Sequence, residues 1–124
     1  MSETSTVNSS ILLSVKKMLG PSADYDVFDP ELIIYINSVF GTLHQLGVGP
    51  EEKFVITGDS ELWSDFTTEG EEIEEVKSYM YLRVRLLFDP PSSSFVLSSF
   101  KEQIKELEWR LQCKAEEVID PLGE

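Results

Sequence analysis

The chain has one cysteine, one histidine and few basic residues, and each shortage closes a functional route. Cys113 alone cannot form an internal disulfide, and no CxxC or Cys/His cluster offers a zinc ligand set. Ser–His–Asp or Cys–His catalysis would have to use His44, which stands near the end of an apolar helical pattern and reads as a partly buried or boundary residue. Cys113 reads as a small packing residue near a helix end. Neither GxxxxGK nor GxGxxG occurs, so no phosphate-cradling loop is written here. Asp24-x-Asp26-x-x-Asp29 and Asp59-x-Glu61 lack the glycine and closing glutamate of a calcium loop. Long apolar runs are missing as well. The longest stretch without Asp, Glu, Lys or Arg, Leu32–Pro50, is interrupted by Asn37, Ser38, His44, Gln45 and glycines, short of the ~18 apolar residues a membrane helix needs. Met1 to Ser5 has neither the basic nor the apolar region of a signal peptide. Together these absences predict a soluble protein without metal, cofactor or catalytic constellation.

Positive charge is the other scarcity: 10 Lys and Arg face 23 Asp and Glu, a net charge of −13. The imbalance is local. Residues 51–75 carry ten acids and one base, whereas residues 76–124 are nearly neutral. Such a field repels phosphate backbones and disfavours conventional nucleic-acid binding. An acidic run is most simply a solvated loop or helix face.

A hydrophobic content of 41% and a charged content of 27% suit one globular domain over 1–124. The expected architecture is mainly all-α, four to five helices with a short β or extended excursion in the middle. Residues 1–8 are expected to be flexible, 51–72 an acidic loop region and 114–124 a C-terminal tail. Ser9 or Ser10 caps a first helix holding Leu12, Val15 and Leu19, ended by Gly20-Pro21. Asp29-Pro30-Glu31 reads as N-cap, first residue and dipole partner of a central core helix, with Phe28 and Ile33 as a hydrophobic staple. Leu32, Ile36, Val39 or Phe40, Leu43 and Leu46 line its apolar face up to Gly47. Phe54–Thr57 is predicted to be a short strand, followed by a turn and a brief helical piece, capped by Asp59, that pins Leu62, Trp63 and Phe66.

From Glu71 the helical period resumes through Ile73, Val76, Met80, Val84 and Leu87, although Leu82 to Leu86 also alternates as a strand would. Length favours the helix. Asp89-Pro90-Pro91 ends it, and the serines cap a last helix whose seam is Leu97, Phe100, Ile104, Leu107 and Leu111. That seam is either core or subunit interface. The 71–88 helix is apolar on more than one face, so Val76, Tyr79, Met80, Val84 and Leu87 are candidates for sharing between subunits.

Two segments carry a family resemblance. Ile11–Leu46 runs Ile-Leu-Leu-Ser-Val-Lys-Lys-Met-Leu-Gly-Pro, then Phe28-Asp29-Pro30-Glu31-Leu32 into a core helix. Tyr81–Leu111 contains Leu82-Arg83-Val84-Arg85-Leu86-Leu87-Phe88-Asp89-Pro90-Pro91, Phe95, and Gln103-Ile104-Lys105-Glu106-Leu107-Glu108-Trp109-Arg110-Leu111. The chain resembles the small helical head–tail connector (head-completion or adaptor) proteins of long-tailed bacteriophages. The second segment is the more specific, through its Asp-Pro-Pro break and Glu-Trp-Arg-Leu ending.

The resemblance implies a structural virion protein with no enzymatic activity. It would assemble as a ring, twelve-fold in the virion, beneath the portal protein and bridge to the next head-completion or tail-completion protein. DNA would pass without sequence-specific binding, and no membrane would be involved. The expected location is the virion's head–tail interface, with the host cytoplasm during assembly. In such a ring Glu61, Asp65, Glu69, Glu71 and Glu72 are candidate channel-facing acids, since an acidic wall repels DNA. Val118, Ile119 and Leu122 are a candidate portal-docking tail. Another small phage assembly or tail-completion protein remains an alternative reading, as does an acidic DNA-mimic inhibitor.

Overall fold

The computed structural model describes residues 9–67 and 70–119, and the side chains of these except Ser22, Glu71, Glu117, Val118 and Ile119. Among the described residues five helices appear in order: α1 (Ile11–Leu19), α2 (Asp29–Gln45), α3 (Trp63–Phe66), α4 (Gly70–Phe88) and α5 (Ser94–Ile119). Two short 3-10 turns, Pro21–Ala23 and Asp26–Phe28, connect α1 to α2. The described residues form no strand, and the fold is all-α as expected.

The caps explain the boundaries. The Ser10 side chain accepts from the Leu13 N–H and starts α1. Ser93 does the same for α5, its hydroxyl accepting from Val96 N–H at 3.3 Å. At the end of α2, Val48 N–H donates to the Leu43 carbonyl and Gly47 N–H to the His44 carbonyl. This paired closure needs a left-handed residue, and Gly47 supplies it at φ 85°. The buried Val48 side chain completes the stop. Asp29 departs from expectation. It is already helical (φ −57°, ψ −45°) and makes no cap bond. Its carboxylate instead pairs with Lys16 at 2.8 Å, tying α1 to α2. Phe28 likewise stands edge-on to Phe88, with ring centroids 5.4 Å apart, and so links the start of α2 to the end of α4.

Helix α4 is the hub, packing against α1, α2 and α5. Ile73, Val76, Tyr79, Met80, Leu82 and Val84 are all buried, so its several apolar faces are covered within one chain. The seam of α5 packs onto the same core through Ile104, Leu107 and Leu111, with Phe100 partly buried against it. The Asp89-Pro90-Pro91 break turns the chain between these helices, and the Arg85 guanidinium, donating to the Asp89 carbonyl and to the Tyr81 hydroxyl, braces the corner. Helix α5 continues to Ile119, so 114–119 is helical rather than a tail. The expected tail beyond it, 120–124, lies outside the described residues.

Phe54–Thr57, expected as a short strand, forms none. Phe54 and Ile56 turn inward while Val55 is exposed. Asn37 takes the place of a partner strand: its Nδ2 donates to the Ile56 carbonyl at 3.0 Å and its Oδ1 accepts from the Ile56 N–H at 2.8 Å. Both backbone groups of a buried residue are thereby satisfied by one side chain. Farther on, Ile11 N–H donates to the Glu61 carbonyl and Trp63 N–H to the Ser9 carbonyl, fastening the segment to the start of α1. The short α3 is started by Asp65, which accepts from the Leu62 N–H at 2.8 Å, and not by Asp59. Trp63 and Phe66 are buried, as expected for aromatics that pin this segment, and Phe40, Phe54 and Phe66 form a cluster of rings.

Candidate functional site

The described residues offer no group of three or more His, Cys, Asp or Glu side chains able to hold a metal ion, and no described helix is long and apolar enough to cross a membrane. His44 is exposed, more so than its place in the sequence suggested, and Cys113 is half-buried. What stands out is the distribution of apolar and charged groups over the surface.

The residues proposed for sharing between subunits are mostly spent inside the chain. Val76, Tyr79, Met80 and Val84 are buried; Leu87, 47% exposed, is the member with a large open area. Tyr79 anchors a polar lock between α4 and α5. Its hydroxyl donates to Glu108 at 2.7 Å and accepts from Arg83 at 2.8 Å, and Arg83 also pairs with Glu108 at 3.3 Å. Burial, then the bond to Glu108, pushes the Tyr79 phenol well above its ordinary pKa. This triad was not legible as such: Tyr79 and Arg83 stand one turn apart on α4, but Glu108 lies on α5 and joins them only when the hairpin closes.

The candidate channel acids divide. Burial pushes the Glu61 carboxyl up, but bonds from the Thr57 hydroxyl and the Thr57 and Gly58 N–H groups outweigh it and hold the group below the usual carboxylate range. Glu61 therefore shapes its own loop. Asp65 is exposed but committed to the Leu62 N–H. Glu72 sits at the start of α4, half-buried. Glu71 shares that helix, but its side chain lies outside the described residues, as does the whole of Glu69. Val118 and Ile119 end α5 with their side chains outside the described set, and Leu122 lies outside it altogether.

Large apolar side chains do reach the surface. Phe95 is 81% and Trp109 66% exposed on α5, while Tyr25, Val27 and Ile34 are exposed around the α1–α2 connection and α2. A groove of about 700 Å³ runs between α1, α4 and α5, floored by Met18, Tyr81, Leu82 and Phe100 and edged by Lys17, Lys77 and Glu74. Lys77 also lies 5.6 Å over the Trp63 ring, and burial holds its ammonium below the usual lysine pKa. Sequence patterning missed this groove because its walls come from three helices.

The molecule thus has a closed core, polar ties between helices and large aromatic side chains exposed outside. No curated protein and no solved structure matches the chain. The family model described as phage connector protein matches residues 11–118, from the first residue of α1 to the last turn of α5. With a match over most of its length, the chain belongs to the phage connector protein family.

Proposed function

We propose that this chain is a non-enzymatic virion protein that joins capsid to tail, assembling as a ring of copies beneath the portal and bridging to the next head-completion or tail-completion protein. The observation that carries the reading is the family match over α1–α5. The exposed Phe95, Trp109, Tyr25, Val27 and Ile34 support it, because one folded copy leaves them uncovered. Subunits of a ring meet through two different surfaces, and closure by rotation follows when those surfaces are set at the right angle.

Within the ring, the acidic 51–75 segment lines or rims the passage for DNA. Because Glu61 and Asp65 serve their own backbone, the exposed Glu51, Glu52 and Asp59 join Glu69, Glu71 and Glu72 as the repelling groups. Val118, Ile119 and Leu122 dock on the portal. The deciding experiment is the mass and image of the protein alone and mixed with portal protein, by light scattering and electron microscopy. Rings, alone or templated by the portal, are expected. A chain that stays monomeric and leaves the portal bare would overturn the reading, and acids mapped only to the outside of an imaged ring would remove the channel role.

A further inference from the structure

Several apolar side chains that one copy leaves uncovered meet at one end of the fold. Antiparallel packing of α4 on α5 brings Tyr79 to Glu108 and Tyr81 to Phe100. The last turn of α4 and the first turn of α5 therefore lie at one end, joined by the Asp89-Pro90-Pro91 turn. Phe88 in that last turn meets Phe28 edge-on, and Phe28 meets Tyr25 edge-on with ring centroids 6.4 Å apart. A line of rings thus runs from the hairpin corner onto the connection between α1 and α2. Tyr25 and Val27 are 66% and 76% exposed, Leu87 and Phe95 stand open at the same end, and Phe28 and Phe88 are half-buried.

The charge written into this end has one sign. Residues 20–31 and 86–96 contain Asp24, Asp26, Asp29, Glu31 and Asp89 and no Lys or Arg. Two cations reach the end from outside those stretches, and both are engaged: Lys16 pairs with Asp26 and Asp29, and Arg85 donates to the Asp89 carbonyl and the Tyr81 hydroxyl. Farther off, Lys17 edges the α1–α4–α5 groove, and Lys101 follows Phe95 by six residues, about 9 Å along α5. Five carboxylates against two cations leave the exposed rings in a negative setting.

We infer that this end binds a segment of a different protein in which apolar side chains adjoin Lys or Arg. Apolar groups of the partner cover Tyr25, Val27, Leu87 and Phe95, and its cations meet the carboxylates around them. Asp24 and Asp26 flank Tyr25 in the chain and are exposed, so an arginine laid on the Tyr25 ring has carboxylates on either side to accept its N–H groups. The same charge repels nucleic acid and anionic lipid. A second copy docked end to end would set these acids against themselves. The inference goes beyond the ring reading and stands without it, because it concerns one copy.

The test uses the full-length protein and labelled synthetic peptides, read by fluorescence anisotropy. One peptide carries Trp and Leu flanked by Arg and Lys; in a second the cations become Glu, and in a third the Trp and Leu become Ser. The first should bind, less tightly as salt rises, and the other two at least about tenfold more weakly. Tyr25→Ser with Val27→Ser should lose at least about tenfold towards the first peptide and keep the helical circular dichroism, since both side chains are exposed. Should that variant lose its helical signal, Phe95→Ser on α5 takes its place with the same expectation. Asp24→Lys should weaken binding about threefold, whereas Glu51→Gln with Glu52→Gln, an equal change of charge on the acidic middle, should leave it unchanged. Failure of the first peptide to bind would overturn the inference, as would equal affinity for the wild type and the Tyr25–Val27 variant, or for the basic and acidic peptides. Self-association lost in the Tyr25–Val27 variant would overturn it too, because the end would then meet a second copy. None of these results bears on whether rings form on the portal, which the mass and image of that mixture decide.

Discussion

The hydroxyl of Tyr79 offers the sharpest probe at the scale of single residues. Tyr79→Phe keeps the buried ring and the Arg83–Glu108 pair but removes two hydrogen bonds, and should cost about 1–2 kcal/mol in denaturant unfolding. The same group gives a pH dependence. Its folded pKa is raised above the unfolded value, so its contribution is complete below about pH 10 and is lost as pH rises beyond it, because the unfolded chain releases the proton first. Lys16 acts in the same direction: the hydrogen bond to Asp29, which outweighs its burial, raises its pKa. Comparing the alkaline slope of wild type and Tyr79→Phe isolates the tyrosine; an identical slope would discard its role. A second residue-level test is Gly49→Ala. At φ 99°, an added Cβ would stand 2.5 Å from the Phe66 ring, so a loss of about 2–3 kcal/mol is expected from strain and clash together.

At the scale of elements, the Asn37 side chain of α2 holds the backbone of the middle segment at Ile56. Asn37→Leu should strip the Ile56 N–H and carbonyl of their partners, each worth about 1–3 kcal/mol when left unpaired in a buried place. Faster proteolysis between 51 and 62 with helical content retained is the expected result; unchanged cleavage would show that the clamp is dispensable. The α5 seam is tested by Leu107→Asp. Leu107 is 9% exposed in the core, so the variant should unfold rather than survive as a folded monomer. Much of this level was legible beforehand. The helices, the Gly47 stop, the serine cap at Ser93 and the Asp89-Pro90-Pro91 break follow from local propensity and capping chemistry. Asp29 was misread because its carboxylate suits a cap equally well as an ion pair, and only the approach of Lys16 from α1 decides between them. The strand expected at Phe54–Thr57 has the right alternation, but alternation records which side chains face inward and says nothing of what satisfies the backbone.

On the scale of the whole molecule, the chain closes its own core and still leaves aromatic side chains outside. A chain ending after Glu116 should fail to bind the portal yet retain contact between copies, if the tail docks on the portal and the subunits meet elsewhere. Pull-down on portal protein and light scattering read the two properties separately. Loss of both together would place the tail within the subunit contact instead.

The sequence by itself determined the all-α class, the helix boundaries set by caps and prolines, and the acidic middle, because these depend on neighbours within a turn or two. It also carried enough of Ile11–Leu46 and Tyr81–Leu111 for the family to be read. Tertiary structure alone decided which apolar faces are core. Helix α4 has more apolar surface than a lone surface helix needs, and pattern could not tell whether α1, α2 and α5 or a neighbouring subunit covers it; in the fold these three helices surround it. The same closure put Tyr79 and Arg83 beside Glu108 and opened a groove whose walls come from α1, α4 and α5. Pairings between helices depend on how helices pack, which no local spacing encodes.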